Sequence, residues 1–170
     1  MFGEGSARAA MVLVGEQPGD VEDRAGRPFV GPAGRLLDEA LAAAGLDRAS
    51  VYLTNAVKHF KWTLRGKRRL HKTPAQREIE ACEQWLTREL ATIAPRLVVC
   101  LGATALRAVL GRAATVGSLR GRIVTRAGEP ALLVTVHPSY VLRVPPEKRG
   151  AALRGLVADL RTGARFVARA

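Results

Sequence analysis

Cysteine is scarce in this chain. Cys82 and Cys100 are the only two among 170 residues, too few to build a disulfide framework. Long apolar runs are absent as well: the strongest, at residues 131–136, falls far short of the roughly 20 residues that a membrane span requires. The first twenty residues carry Glu4 and Glu16 and no long apolar block before a small-residue cleavage site, so no secretory signal is read there. No internal repeat, low-complexity tract or linker interrupts the sequence. A hydrophobic content of 48% with 25% charged residues excludes a wholly disordered chain. These absences leave, as the expectation, one domain over residues 1–170 in a soluble, cytoplasmic protein.

Acid is also in short supply. Against 15 Asp+Glu stand 27 Lys+Arg, a net charge of +12 on 18.2 kDa. Such an excess favours polyanions, and nucleic acid is the commonest of these in a cell. The competing reading is a solvated basic surface of arginine-rich composition. Placement weighs against it, because residues 58–72 (KHFKWTLRGKRRLHK) hold seven Lys/Arg, two His and two aromatics with no acid. Cations interleaved with aromatics suit phosphate contact plus base stacking.

Strand and helix patterns alternate along the chain. Residues 11–15 (MVLVG) read as a short buried strand, followed by a Pro/Gly-rich loop through Gly31. Pro32 opens a helix with Leu36, Leu37, Ala40, Leu41 and Ala44 on one face, and Gly45 is placed to stop it. A second strand is expected over 51–57, running into the basic segment as a loop. Thr73, Pro74 and Gln76 give a helix start of the capping-box type, and Ile79, Cys82, Leu86, Leu90 and Ile93 form the apolar face behind it. Further strands are expected at 97–102, near 122–125 and at 131–136, with helices at 103–110 and 147–167. Strands separated by helices imply an α/β fold, a mostly parallel sheet covered on both faces.

In such a fold ligands bind at the carboxyl ends of the strands, where this sequence places its chemically capable residues. Glu16, Gln17 and Asp20 follow the first strand, Asn55 ends the second, His137 follows the last, and His71 lies in the basic loop. Singly, each has a structural reading: Asp20 as a turn residue, Asn55 as a loop-start amide, His137 as a turn histidine before Pro138. Their joint placement after three separate strands favours a site.

Five segments carry a resemblance: GEQPGD at 15–20, EDRAGRPFVGPAG at 22–34, TNAVKHF at 54–60, KRRLHKTP at 67–74 and HPSYVLR at 137–143. In order and spacing they resemble the family 4 branch of the uracil-DNA glycosylases along nearly the whole chain. Within that branch, the GEQPG motif and the KRR-hydrophobic-His insertion are similar to the UdgX type. The resemblance implies a three-layer α/β sandwich with a central, mostly parallel sheet, and cleavage of the bond between uracil and deoxyribose in DNA. For the UdgX type it implies that a histidine of the basic loop then joins the sugar covalently. The implied partner is uracil-containing DNA, single-stranded by preference, acted on by a monomer associated with a bacterial nucleoid.

Cleaving that bond builds positive charge on the sugar and negative charge on the departing base, so a carboxylate beside the sugar and a donor aimed at a base oxygen stabilise both. By the resemblance, Glu16 takes the sugar side, directly or through a water, and His137 donates to uracil O2, which a neutral imidazole can do. Asn55 matches the amide that reads uracil N3–H and O4, and Phe29 the aromatic that stacks on a base taken out of the helix. His71 matches the nucleophile that attacks the anomeric carbon; the plainer reading makes it a phosphate contact. Gln17 and Asp20 match positions around it, Arg143 a residue packing near the DNA, and Lys67, Arg68 and Arg69 groups that hold the loop and phosphates.

Family 4 members carry a 4Fe-4S cluster on four ligands, two of them in a C-x-x-C pair ahead of the first strand. That pair is absent here. His59 stands where many relatives have their third cysteine and Cys82 matches the fourth; histidine can ligate a cluster, but two ligands cannot hold a cubane. The expectation is that the chain begins downstream of a missing cluster-binding segment, the alternative being a chain that works without a cluster. Cys100, inside an apolar strand, reads as a core residue. Two rival functions stay open: a family 4 glycosylase that turns over without capture, and a silent nucleic-acid-binding module.

Overall fold

The computed structural model describes residues 1–111 and 114–169. In chain order the elements are β1 (Glu4–Gly5), β2 (Met11–Gly15), α1 (Asp20–Ala25), α2 (Pro32–Ala44), a 3-10 turn (Arg48–Ser50), β3 (Tyr52–Asn55), β4 (Trp62–Arg65), β5 (Arg68–His71) and α3 (Gln76–Ile93). There follow β6 (Leu97–Leu101), α4 (Ala103–Leu110), α5 (Val116–Leu119), β7 (Ile123–Arg126), β8 (Glu129–Thr135), α6 (Pro138–Arg143) and α7 (Pro146–Ala168). Six strands form one sheet in the order β1-β3-β2-β6-β8-β7. The four central strands are parallel, while β1 and β7 pair antiparallel at the two edges. The fold is therefore the expected α/β sandwich with a mostly parallel sheet.

Both sheet faces are covered, so the central strands are apolar throughout yet still sort by parity. Met11, Leu13, Leu97, Val99, Leu101 and Leu133 pack with Leu37, Leu41, Leu156 and Leu160 against α2 and α7. Val12, Val14, Val98, Cys100, Leu132 and Val134 pack with Leu86 and Leu106 against α3 and α4. Leu37 is wholly buried; truncating such a side chain to Ala costs about 2–5 kcal/mol. Pro32 sits in the first turn of α2, and the chain turns out at Gly45 as its N–H returns to Leu41 and Ala42.

Several readings of local structure change, and the loop expected through Gly31 contains the helix α1. The second strand is shorter than 51–57, because after Asn55 the backbone turns to bond the end of β2: Ala56 N–H donates to Gly15 O at 2.9 Å and Val57 N–H to Glu16 O at 2.9 Å. The basic segment is not a loop but a β-hairpin, β4 pairing β5 from Trp62↔His71 to Arg65↔Arg68. Its two-residue turn is Gly66-Lys67, with Gly66 at φ 62°, a conformation glycine adopts without strain. Equal runs of alternating residues around that Gly-Lys were the missed signal. The capping reading also shifts: α3 starts after Ala75, whose N–H donates to the Glu78 carboxylate at 2.5 Å, so Thr73, Pro74 and Gln76 form no box.

Candidate active site

A cleft of about 780 Å³ opens at the carboxyl ends of β2, β3, β6 and β8, lined among others by Glu16, Phe29, Asn55, His71, Thr104 and His137. Its position follows from topology. The chain leaves β2 for β3 on one side and later returns to β6 on the other, so the connections diverge and leave a crevice.

Glu16 stands at the end of β2 with both carboxylate oxygens engaged. His71 Nε2 lies 2.9 Å from Oε1, and Thr104 at the start of α4 donates to Oε2 at 2.6 Å. Burial alone would raise the Glu16 carboxyl, but the bonds from His71 and Thr104 and the charges of His71 and His137 outweigh it and hold the group below its ordinary value. Glu16 is therefore a carboxylate at neutral pH.

His137 follows β8 as the residue capping α6. Burial pushes its pKa down to about 4, against the pull of Glu16 and with Arg143 and His71 adding to the fall. The ring is neutral at pH 7. Its Nδ1 accepts from the Ser139 N–H at 3.1 Å, which assigns the proton to Nε2 and makes that nitrogen a donor. Ser139 Oγ lies 2.8 Å from the same Nδ1 and accepts from Arg143 at 2.9 Å. Arg143 thus supports His137 through Ser139.

Phe29 is buried and stacks toward His137, ring centroids 6.2 Å apart at 29°. Its φ of 55° is a left-handed backbone for a bulky residue. Arg48, paired to Asp38 at 2.6 Å, holds it by donating to Phe29 O at 3.2 Å and Pro28 O at 3.0 Å. Asn55 is buried at the end of β3. A Cβ on Gly15 would come within 2.4 Å of Asn55 Oδ1 and 2.6 Å of Phe29 Cζ. Only a bare backbone lets the amide and the ring approach each other there. Beneath Asn55, the buried Lys58 donates to its carbonyl at 2.7 Å and to Thr54 Oγ1 at 2.9 Å, and pairs with Glu89.

The hairpin hangs over this cleft by named bonds. At its root the Gln17 amide spans both strands, donating to Lys61 O and Lys72 O at 3.2 Å and accepting from Lys61 N–H at 3.1 Å. Arg69 forks to Asp20 at 2.5 Å and Asp23 at 2.7 Å, its guanidinium also lying over the Phe60 and Trp62 rings. Gln17 and Asp20, expected among the catalytic groups, here hold the hairpin. Arg69, expected to hold the loop and phosphates, is turned inward onto two carboxylates and holds the hairpin. Lys67 and Arg68 are exposed at the tip.

Sequence reasoning missed Thr104, Ser139 and Arg48. Thr104 was within reach, since it lies three residues past Leu101 at the end of β6, where the strand-end rule directs attention.

His59 and Cys82 are brought together, Nδ1 to Sγ 3.9 Å, beside the first residue, whose amino group donates to Lys58 O at 2.6 Å. Among the described residues no three His, Cys, Asp or Glu gather to hold a metal. Two donors are half of what a four-iron cluster needs, so these residues alone do not fit one. Burial pushes the Cys100 thiol up to about 12, in keeping with a core residue. No helix among the described residues is long and apolar enough to cross a membrane.

A model of the uracil DNA glycosylase superfamily matches residues 2–161. The chain is 40% identical over 160 residues to the type-4 uracil-DNA glycosylase of Pyrobaculum aerophilum, covering 90% of this chain and 75% of the relative. It is 39% identical over 144 residues to the type-4 enzyme of Thermotoga maritima, covering 84% and 71%. The type-5 uracil-DNA glycosylase of Pyrobaculum aerophilum is 34% identical over 153 residues.

Proposed function

This chain belongs to the uracil DNA glycosylase superfamily and is a DNA N-glycosylase, and we propose that it excises uracil from single-stranded DNA and then joins itself to the stripped deoxyribose through His71. One observation carries the second half: His71 Nε2 sits 2.9 Å from the Glu16 carboxylate, at the cleft where the sugar must lie.

The chemistry follows from the groups in place. As the glycosidic bond breaks, its electron pair leaves with uracil N1 and positive charge grows on the sugar. Glu16 faces that charge as an anion, and His137 Nε2–H donates to uracil O2 as it gains charge. The Asn55 amide pairs with N3–H and O4, a pattern that cytosine presents in reverse, while the Phe29 ring supports the extruded base. The His71 nitrogen that holds no proton then attacks C1′, forming an N–C bond. The resulting imidazolium passes its remaining proton to Glu16 or to solvent, and the uracil anion takes one up. Lys67 and Arg68 meet phosphates, a positioning contact. No step uses His59 or Cys82. The protein acts as a monomer on DNA in the cytoplasm.

The test is a single-stranded oligonucleotide with one uracil, mixed with the protein and run on a denaturing gel beside a thymine control. A uracil-dependent shifted band is the expected result. Alkali-labile strands without a band would mean an ordinary glycosylase that turns over. Salt-sensitive binding with no preference for uracil would mean a DNA-binding module.

A further inference from the structure

The hairpin exposes more apolar surface than its reading as a cationic arm accounts for. Leu64 is 62% exposed and Trp62 40%. Cross-strand partners share a face, and so do residues two apart on one strand. The register pairs Trp62 with His71 and Leu64 with Arg69, so these four side chains lie on one face. At its His71 end that face meets Glu16 in the cleft, and toward the turn Arg69 of the same face meets Asp20 and Asp23 on α1. Arg69 covers Trp62 at 5.6 Å, leaving Leu64 as the open apolar side chain beyond it. Arg65, Lys67 and Arg68, exposed around the turn, ring it with positive charge.

We propose that Leu64 packs on the base next to the extruded uracil, on the strand that Arg65, Lys67 and Arg68 hold by its phosphates. This rests on the reading that the chain binds uracil-containing DNA, and it names a contact which that reading does not require. When a base leaves the stack, the faces of its neighbours are exposed, and an aliphatic side chain can cover one of them. The cations supply the complementary charge, and the inward clasp of Arg69 fixes how far the hairpin stands from the cleft. In this geometry Leu64 lies one strand repeat of two residues, about 7 Å, from the His71–Trp62 pair, a distance comparable to the spacing of neighbouring nucleotides in an extended strand.

The test is a cycle between one side chain and one base. Dissociation constants are measured by fluorescence anisotropy for the full chain and for Leu64→Ala. The probes are single strands carrying 2′-fluoroarabinouridine, whose fluorine withdraws electrons from the sugar and arrests cleavage. In matched strands the base on the 5′ or the 3′ side of the uridine is replaced by an abasic spacer. The wild-type protein is expected to lose roughly tenfold in affinity when one of the two flanking bases is removed, and Leu64→Ala to lose less than about twofold for the same removal. Equal losses for both proteins, or Leu64→Ala binding the intact strand as tightly as wild type, overturn the proposal. Because the readout is binding to an uncleavable strand, it reports on Leu64 independently of uracil release. Failure of the wild type to release uracil from an ordinary strand, by contrast, would overturn the functional reading itself.

Discussion

Thr104→Val removes one hydroxyl and keeps the shape of the side chain. In the structure that hydroxyl is the sole protein donor to Glu16 Oε2 among the described residues, at 2.6 Å, while Oε1 meets His71. A hydrogen bond to a charged group contributes about 1.5–3 kcal/mol. Taking about 2 kcal/mol as the bias that keeps the carboxylate in its working orientation, its loss lowers the correctly oriented fraction up to roughly thirtyfold. Single-turnover uracil release at pH 7 should slow by that order. A second signature separates orientation from general damage. The Thr104 bond lowers the Glu16 pKa, so its removal raises it, and the acid limb of the rate profile must move to higher pH. Thr104→Ser keeps the hydroxyl and should stay within about threefold of wild type with its acid limb unmoved. An unchanged rate and acid limb in Thr104→Val, or a serine variant as slow as the valine one, would refute this role for the Thr104 hydroxyl.

The rate of excision itself should hold as pH falls through 6.5, where an ordinary histidine titrates, and drop only toward about 4, where His137 gains its proton. The signs agree, since a lowered Glu16 keeps its anion and a lowered His137 stays neutral over the same window; the single-turnover rate of uracil release by the wild-type chain, followed as pH falls, checks it. Asn55→Asp should cut uracil release by about a hundredfold, because its side chain no longer donates to O4; comparison of uracil and cytosine substrates reads the loss of preference. Arg69→Ala removes the clasp to Asp20 and Asp23, so covalent capture should slow relative to uracil release while the melting temperature barely moves. Glu89→Ala strands the buried Lys58 and leaves Thr54, Tyr52 and the Gly3 N–H without their acceptor. Breaking such a pair costs about 3–5 kcal/mol, which calorimetry should register as a fall of about 10 °C.

The parallel core was legible because its signals are local: apolar strands bounded by glycine, Pro32 and Gly45 around α2, and the helical period of Ile79, Cys82 and Leu86. That Glu16, Asn55 and His137 gather at one cleft was legible too, since all three stand at the carboxyl ends of strands. What escaped depends on partners distant in sequence. Arg69 looks like another cation of a basic run, and only the return of α1 beneath the hairpin gives it Asp20 and Asp23. Gln17 reads as a residue near His71, and its bonds from Nε2 to Lys61 O and Lys72 O and from Lys61 N–H to Oε1 join segments far from it in sequence. The hairpin was hidden by its charge, which made residues 58–72 read as loop although Gly66-Lys67 lies between two equal strands.

Covalent capture by His71 is the central claim, and peptide mass mapping of the denatured complex tests it most directly. After reaction with a uracil-containing single strand, the protein should be heavier by the oligonucleotide less one uracil, with the added mass on the peptide that carries His71. His71→Ala should release uracil yet gain no mass. An adduct on any other residue, or full uracil release by the wild-type chain with no added mass, would contradict the account.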